Sequence, residues 1–185
     1  MKQTVGNACG TVALTHIMGN LNAQNSDTYP VINQSFFDRF FRATHPKEST
    51  QAPNPDAHLQ RGAWFAKDSE VEILHQYAAR AEASDLSPKN KDDEPTEQDD
   101  TPDETNLHFI AFVRSNDGKS IIELDGTKSF PIFHAIPENY HEIHGEEAME
   151  NGSVLLDCAV QVAKQYMKLD PEEIRFSLLA ISTAQ

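Results

Sequence analysis

The spacing of apolar residues predicts helices throughout the first half of the chain. Residues 9–21 place apolar side chains one helical turn apart, at Val12, Ala13, Ile17 and Leu21. In residues 35–43, Ser35 is a suitable N-cap and four phenylalanines form one apolar face. After a polar loop with several prolines, residues 56–66 and 69–83 have the pattern of two further helices.

The second half of the chain has the pattern of strands around one long helix. Residues 107–114 are mostly apolar and β-rich, as expected of a buried strand, and residues 120–125 form the returning strand after a turn containing Asp-Gly. These two strands predict an antiparallel hairpin. Residues 146–168 predict an amphipathic helix, and residues 174–182 another buried strand. The expected fold class is therefore α+β, with helices packed on an antiparallel sheet.

Length and composition suit one domain over residues 1–185, with a hydrophobic core of its own. No apolar run approaches the roughly 18 residues of a membrane helix, and no signal peptide is visible. The two cysteines, Cys9 and Cys158, make neither a disulfide framework nor a structural zinc site. We therefore expect a protein of the cytoplasm, or also of the nucleus, that needs no metal and no cofactor.

The formal net charge of −14 is concentrated in one segment. Residues 81–105 hold ten acidic residues, two lysines and three prolines but few apolar side chains. Such a segment cannot bury enough surface to offset its ordering entropy, so residues 84–105 predict a mobile acidic loop. A solvated linker is the simpler interpretation of the same loop. The negative charge also argues against nucleic acid and anionic membranes as partners.

Cys9 is a candidate nucleophile because it lies where a loop meets the first predicted helix. The unpaired N–H groups and positive dipole end of a helix N-terminus stabilise a thiolate, the reactive form of cysteine. Gly10 would let a substrate backbone approach closely. The alternative is that Cys9 is a small buried hydrophobic residue.

His108 and Asp125 are expected to be neighbours at the open end of the hairpin. His108 begins an apolar strand, where a polar side chain needs a partner, and Asp125 ends the paired strand. A carboxylate beside an imidazole fixes its tautomer and stabilises its charged form, as a catalytic base requires. A structural pair that closes the hairpin is an equally open alternative. The backbone N–H of Cys9 and the amide of Gln3 could supply an oxyanion hole.

Three sequence blocks resemble the ubiquitin C-terminal hydrolases, a family of papain-like cysteine proteases. The blocks are Q-T-V-G-N-A-C-G-T-V-A-L-T-H, H-F-I-A-F and I-I-E-L-D-G, and R-F-S-L-L-A-I resembles the family's last strand. The resemblance implies thiol-dependent hydrolysis at the C-terminal glycine of ubiquitin, with ubiquitin or a ubiquitin-like protein as partner. It makes Cys9 the nucleophile, His108 the general base and acid, Asp125 the residue that orients His108, and Gln3 the oxyanion donor.

The family likeness also gives the acidic segment a role. In this family a segment between the catalytic cysteine and histidine crosses above the active site, and residues 84–105 fall in that interval. Because ubiquitin's tail carries arginines, an acidic rim would attract it.

The family usually carries several tens of residues before the glutamine that corresponds to Gln3. The resemblance therefore implies a papain-like fold without its N-terminal elements, with an exposed sheet edge and an uncovered core face. This leaves a second hypothesis, that the chain is a catalytically inert fragment or a weak ubiquitin-binding module. A third hypothesis is an acidic interaction protein with no chemistry.

Overall fold

The computed structural model describes residues 1–6, 8–44, 56–73, 108–145, 148 and 152–181. Its helices are α1 (Cys9–Gln24), α2 (Phe36–Thr44), α3 (Ala57–Phe65), α4 (Tyr140–His144) and α5 (Ser153–Leu169), and its strands are β1 (Ala111–Arg114), β2 (Ser120–Leu124) and β3 (Ile132–Ala135). Residues 69–73 are also helical. The predicted acidic loop and residues 74–83 of the helix predicted before it lie outside the described residues.

The helices predicted at residues 9–21, 35–43 and 56–66 are confirmed, as is the described part of the helix predicted at 69–83, and their apolar faces form one cluster. The Asp38 N–H donates to Ser35 Oγ at 3.3 Å, so Ser35 caps α2 as its residue type predicts. The buried members of this cluster come from the start of α1, from α2, from α3 and from the helical segment that follows: Ala8, Val12, Phe40, Phe41, Phe65 and Val71. This packing fixes the helix that carries Cys9.

The strands form an antiparallel sheet in the order β1-β2-β3, which confirms the predicted hairpin and adds a third strand. β1 begins at Ala111 rather than at residue 107, and Ala111 lies opposite Leu124. Directly opposed residues share a face of the sheet, so Phe112 and Glu123 lie on one face. That face packs on α5, which leaves the opposite face of β1 for α1. The α+β class, with helices flanking an antiparallel sheet, is confirmed.

The turn between β1 and β2 holds the two strands in this register. Ser115 donates its N–H to the Ser120 carbonyl at 2.9 Å, and Gly118 donates to the Ser115 carbonyl at 3.0 Å. Gly118 has a φ of 68°, which an L-residue adopts only with strain. The turn therefore has a defined length and a residue suited to its conformation.

Two predicted elements of the second half are corrected. The helix predicted from residue 146 is interrupted, because Gly152 has a φ of 82° and α5 begins only at Ser153. The strand predicted at residues 174–182 is wrong over its described part, since residues 174–181 pair with none of the three strands. Ile174 and Leu179 are each 87% exposed. A β-rich sequence forms a strand only where a neighbouring strand completes its ladder.

Candidate active site

Cys9 is the first residue of α1, and its surroundings match the environment that its position predicts. Ala8 occupies the N-cap position and offers no side-chain acceptor, so it caps none of the first-turn N–H groups of the 16-residue helix. These groups leave a partial positive charge beside the Cys9 thiol, which is partly buried. A Cβ built on Gly10 would lie 3.6 Å from the Phe109 ring, so the start of α1 packs against the residue that follows His108.

The predicted proximity of His108 and Asp125 is confirmed. His108 Nε2 lies 2.8 Å from Asp125 Oδ1, beyond the last paired residues of the hairpin. The His108 side chain is 35% exposed, whereas that of Asp125 is 6% exposed. Because an ionised carboxylate can only accept, Nε2 carries the proton of this hydrogen bond. Nδ1 of the neutral imidazole is then an acceptor, as a general base must be.

Asp125 is held in place by the turn that follows it. Thr127 donates to Asp125 Oδ1 both from its backbone N–H, at 2.8 Å, and from its hydroxyl, at 2.7 Å. Burial by itself raises the pKa of Asp125, but the hydrogen bonds from Thr127 and His108 outweigh it and leave the pKa below its usual value. The carboxylate is therefore ionised when His108 takes up a proton.

Gln3 is tied to the same turn. Its backbone N–H donates to the Gly126 carbonyl at 2.8 Å, and a Cβ built on Gly126 would lie 2.9 Å from Gln3 Cβ and 2.8 Å from Val12 Cγ1. Only glycine allows this approach of the N-terminal segment, α1 and the Asp125 turn. The Gln3 side-chain amide donates to the Val5 carbonyl at 3.2 Å, while its Oε1 is buried without a partner among the described residues.

The four predicted site residues do not form one continuous hydrogen-bonded group within the described residues; they make two separate contacts. His108 contacts Asp125, and Gln3 contacts the turn after Asp125. Within the described part of the chain, no hydrogen bond joins Cys9 Sγ to His108; the two are related through Gly10 and Phe109, their neighbours in sequence. Contacts between a nucleophile and its base are often looser than a hydrogen bond before substrate binds.

A second group of polar residues, which the sequence reasoning missed, lies beside Asp125. Glu123, whose side chain is fully buried, accepts from Lys128 Nζ at 2.6 Å, from the Tyr166 hydroxyl at 2.8 Å and from His134 Nε2 at 2.9 Å. Lys128 Nζ also lies 3.9 Å from Asp125 Oδ2. We call Glu123, Lys128, His134 and Tyr166 the Glu123 cluster. Strand alternation was the available signal, since it places Glu123 on the same buried face as Ile121.

Among the residues described, no three His, Cys, Asp or Glu side chains are grouped so that they could hold a metal ion. His141 and His144 lie on α4, where both are exposed and the Tyr140 ring stacks on His144 at 4.3 Å. Such exposure is typical of a solvated helix face. The helices in the described part of the chain are also too short or too polar to span a membrane.

Comparison with known proteins decides the family. The family model described as "Ubiquitin carboxyl-terminal hydrolase, family 1" matches residues 1–153. The chain belongs to this family. Gln3, Cys9, His108 and Asp125 all lie within the matched region of ubiquitin carboxyl-terminal hydrolase family 1, and the resemblance inferred from the sequence blocks is confirmed.

Family members from distant organisms are similar along almost the whole chain. The ubiquitin carboxyl-terminal hydrolase 3 of Arabidopsis thaliana is 31% identical over 98% of this chain and 59% of its own length. The probable ubiquitin carboxyl-terminal hydrolase of Dictyostelium discoideum is 32% identical over 98% of this chain and 55% of its own length. The corresponding hydrolase of Drosophila melanogaster is 30% identical over the whole chain and 63% of its own length. The chain thus spans less than two thirds of the relatives it matches.

Proposed function

We propose that this chain is a thiol-dependent hydrolase that cleaves ester, thioester, amide or peptide bonds at the C-terminal glycine of ubiquitin. The single observation that carries the proposal is the contact of 2.8 Å between His108 Nε2 and Asp125 Oδ1, beside the start of the helix that presents Cys9. Family membership supplies the substrate class. Gln3, Cys9, His108 and Asp125 then have the roles that the family resemblance assigns to them.

In the proposed reaction, His108 Nδ1 takes the proton of Cys9, and Sγ attacks the carbonyl carbon of ubiquitin's terminal glycine. The oxyanion of the tetrahedral intermediate accepts hydrogen bonds from the Cys9 N–H and from Gln3 Nε2. When the intermediate collapses, the leaving group takes the proton from His108 Nδ1 and departs, and a thioester remains. Water then gives a proton to Nδ1 and attacks the thioester, and the departing Cys9 thiolate recovers that proton.

Asp125, the start of α1 and Gln3 each have a separate role in the proposed reaction. Asp125 holds the Nε2–H tautomer of His108 and stabilises the imidazolium that forms twice per turnover. The backbone N–H groups at the start of α1 favour the Cys9 thiolate and the oxyanion. For Gln3 to act as a donor, its second amide hydrogen must point at the substrate, because the first is bound by the Val5 carbonyl.

A ubiquitin probe with a C-terminal electrophile tests this proposal. Incubation with the full chain should give one covalent adduct, seen as an increase in intact mass by the mass of the probe. C9S should abolish the adduct, whereas C158S should retain it, because Cys158 packs against the core formed by the sheet and α5. A wild-type chain that forms no adduct, or an adduct that survives C9S, would contradict the proposal.

The second candidate function is a weak ubiquitin-binding module without turnover. The observation that favours it is the engagement of the Gln3 amide by the Val5 carbonyl, which occupies part of the proposed oxyanion donor. This module would shift the NMR resonances of labelled ubiquitin on titration and leave a ubiquitin C-terminal fluorogenic amide uncleaved. Release of the fluorophore that depends on Cys9 excludes it.

A further inference from the structure

The Glu123 cluster places a lysine between two carboxylates, only one of which it bonds. Lys128 Nζ is 2.6 Å from Glu123 Oε1 and 3.9 Å from Asp125 Oδ2. Its nitrogen is also 3.3 Å from the Tyr166 hydroxyl. Lys128 follows Asp125 by three residues in the same turn. Without a competing acceptor, the nearest anion to this ammonium group would be Asp125.

Glu123 is that competing acceptor, because its carboxylate is charged and bonds Lys128 directly. Burial by itself raises the pKa of Glu123, but the hydrogen bonds from Lys128, Tyr166 and His134 outweigh it, so the pKa is lowered and the buried carboxylate is charged. A buried charge is stabilised only by a paired and hydrogen-bonded partner, so Glu123 holds Lys128 firmly. Burial by itself lowers the pKa of Lys128, but Glu123 outweighs it and raises that pKa.

A lysine that moved to Asp125 would change the proposed chemistry. Its positive charge would occupy the free oxygen of the carboxylate that His108 depends on, and it would repel the His108 imidazolium. The base would then lose affinity for the proton that it must take from Cys9. How strongly Asp125 stabilises the His108 imidazolium therefore depends on the position of Lys128.

We propose that Glu123 is a positioning residue of the active site. Its buried carboxylate binds Lys128 and so keeps the ammonium group from pairing with Asp125, the carboxylate that contacts His108. This inference rests on the proposed function for its catalytic meaning, although the charge arrangement itself needs no substrate. Glu123 touches neither His108 nor Cys9 by hydrogen bond within the described residues, and acts only through Lys128. Nothing in a simple packing role would require the lysine to be present for the effect.

Other charged or titratable groups also face this region from the elements packed around it: Lys2, His16, His134 and Tyr166. Lys2 Nζ donates to the Thr127 carbonyl. Burial lowers the pKa of His16, on α1, to about 4, so this side chain is neutral near pH 7. Burial also raises the pKa of the Tyr166 hydroxyl, which stays protonated. Lys128 is the cation that lies within 4 Å of both Glu123 and Asp125, and its bond is to Glu123.

The test compares E123Q with E123Q/K128M in the full chain. The introduced glutamine keeps the shape of the side chain, and His134 can accept from its amide by changing tautomer. In E123Q the amide oxygen can still accept from Lys128 but carries no full charge, so the ammonium group is drawn toward Asp125, and we expect the NMR titration midpoint of His108 to fall by about 0.5 to 1 pH unit. With ubiquitin amide as substrate, kcat should fall about five- to tenfold with KM little changed. In E123Q/K128M both quantities should return to near the wild-type values.

Matched variants separate charge from packing. Lys119 is exposed at the other end of the hairpin, so E123Q/K119M removes a lysine without removing the ammonium group beside Asp125. This variant should stay as impaired as E123Q. Circular dichroism and thermal melting establish that each variant is folded. If E123Q does not fold, Y166F and Y166F/K128M replace the pair, because Tyr166 also binds Lys128, with a smaller change in the same direction.

The outcomes are distinct. An E123Q protein with the wild-type His108 midpoint, or an impaired E123Q that K128M does not restore, overturns the positioning role. The spectrum of H108A identifies the His108 signal and separates it from that of His134. Because the midpoint requires no ubiquitin, a wild-type chain without hydrolysis contradicts only the proposed function, while the pattern of midpoints still decides the role of Glu123.

Discussion

The sheet carries two histidine–carboxylate pairs of nearly equal length. His108 Nε2 lies 2.8 Å from Asp125 Oδ1, and His134 Nε2 lies 2.9 Å from Glu123 Oε2. The pairs differ in what surrounds them. Glu123 is fully buried, and its other oxygen accepts from Lys128 and Tyr166. The second oxygen of Asp125 instead faces the Lys128 ammonium group at 3.9 Å, too far for a hydrogen bond.

Because both contacts are similarly short, a contact between histidine and carboxylate is not enough to choose a candidate catalytic pair. His134 lies on the outer strand β3, and its carboxylate is saturated by donors. His108 lies before β1, next to the residue that packs on the start of α1. Position relative to Cys9 therefore separates the two pairs, and it is the reason for proposing His108 rather than His134 as the base.

The largest expected effect comes from exchanging the two histidines for alanine in turn. H108A should lower kcat/KM for ubiquitin amide by about 10²- to 10⁴-fold, the usual contribution of a general acid and base. H134A should leave kcat/KM close to the wild-type value, because Lys128 keeps its bond to Glu123. Steady-state kinetics with a fluorogenic substrate measure both. Equal losses in the two variants would show that the pairs are not functionally different.

The free energy of unfolding should depend more on the Glu123 pair than on the Asp125 pair, which is the opposite of the order expected for activity. E123A leaves the ammonium, hydroxyl and imidazole groups of its three partners without an acceptor, and should lower the free energy of unfolding by about 2–3 kcal/mol. D125A should cost less than half of that, because His108 is partly exposed and water can replace its partner. Urea denaturation followed by circular dichroism compares them. A greater loss in D125A would mean that Asp125 and not Glu123 is the structural carboxylate.

The smallest effect is expected in the dependence of the free energy of unfolding on pH under acidic conditions. The pKa values of Glu123 and Asp125 are both lowered in the folded chain, from 4.5 and 3.8. Their stabilisation is therefore present above those values and is lost as pH falls through the folded pKa values, because the unfolded chain binds the protons first. E123Q and D125N should each remove up to about one proton from the slope of stability against pH below pH 5.

Melting temperatures measured from pH 3 to pH 6 test this pH dependence. Q60E, which alters an exposed residue of α3, serves as a control that changes charge elsewhere. Parallel curves for the wild type, E123Q and D125N would show that neither carboxylate contributes to acid unfolding.

Local patterns in the sequence predicted the parts of the fold that local physics decides. Apolar spacing and Ser35 determine α1 and α2, and the turn at Gly118 determines the hairpin that brings His108 to Asp125. The candidate pair could therefore be placed without knowledge of the remaining fold. The helix predicted from residue 146 was wrong where Gly152 adopts a positive φ. A glycine within a helical pattern allows that conformation but does not require it.

The remaining features depend on residues that are distant in sequence. Tyr166 reaches Glu123 from 43 positions away, and no periodicity of either segment contains that contact. The strand predicted at 174–182 had the right composition, yet its formation depends on a partner strand that composition cannot supply. The catalytic roles of Gln3, Cys9, His108 and Asp125 all stay predictions, which the ubiquitin probe and the kinetics will test.

The turn between β1 and β2 has a consequence for how this hairpin can vary in length. Side chains alternate between faces along a strand, so one residue inserted between Arg114 and Ser120 would slide β2 by one position. Glu123 would then leave the face that it shares with Phe112, and Asp125 would point away from His108, in a single step. The turn acts as a spacer whose length is fixed by chemistry at the far end of the strands. Insertions acquired during evolution are therefore expected in other loops of this chain, and not in this turn.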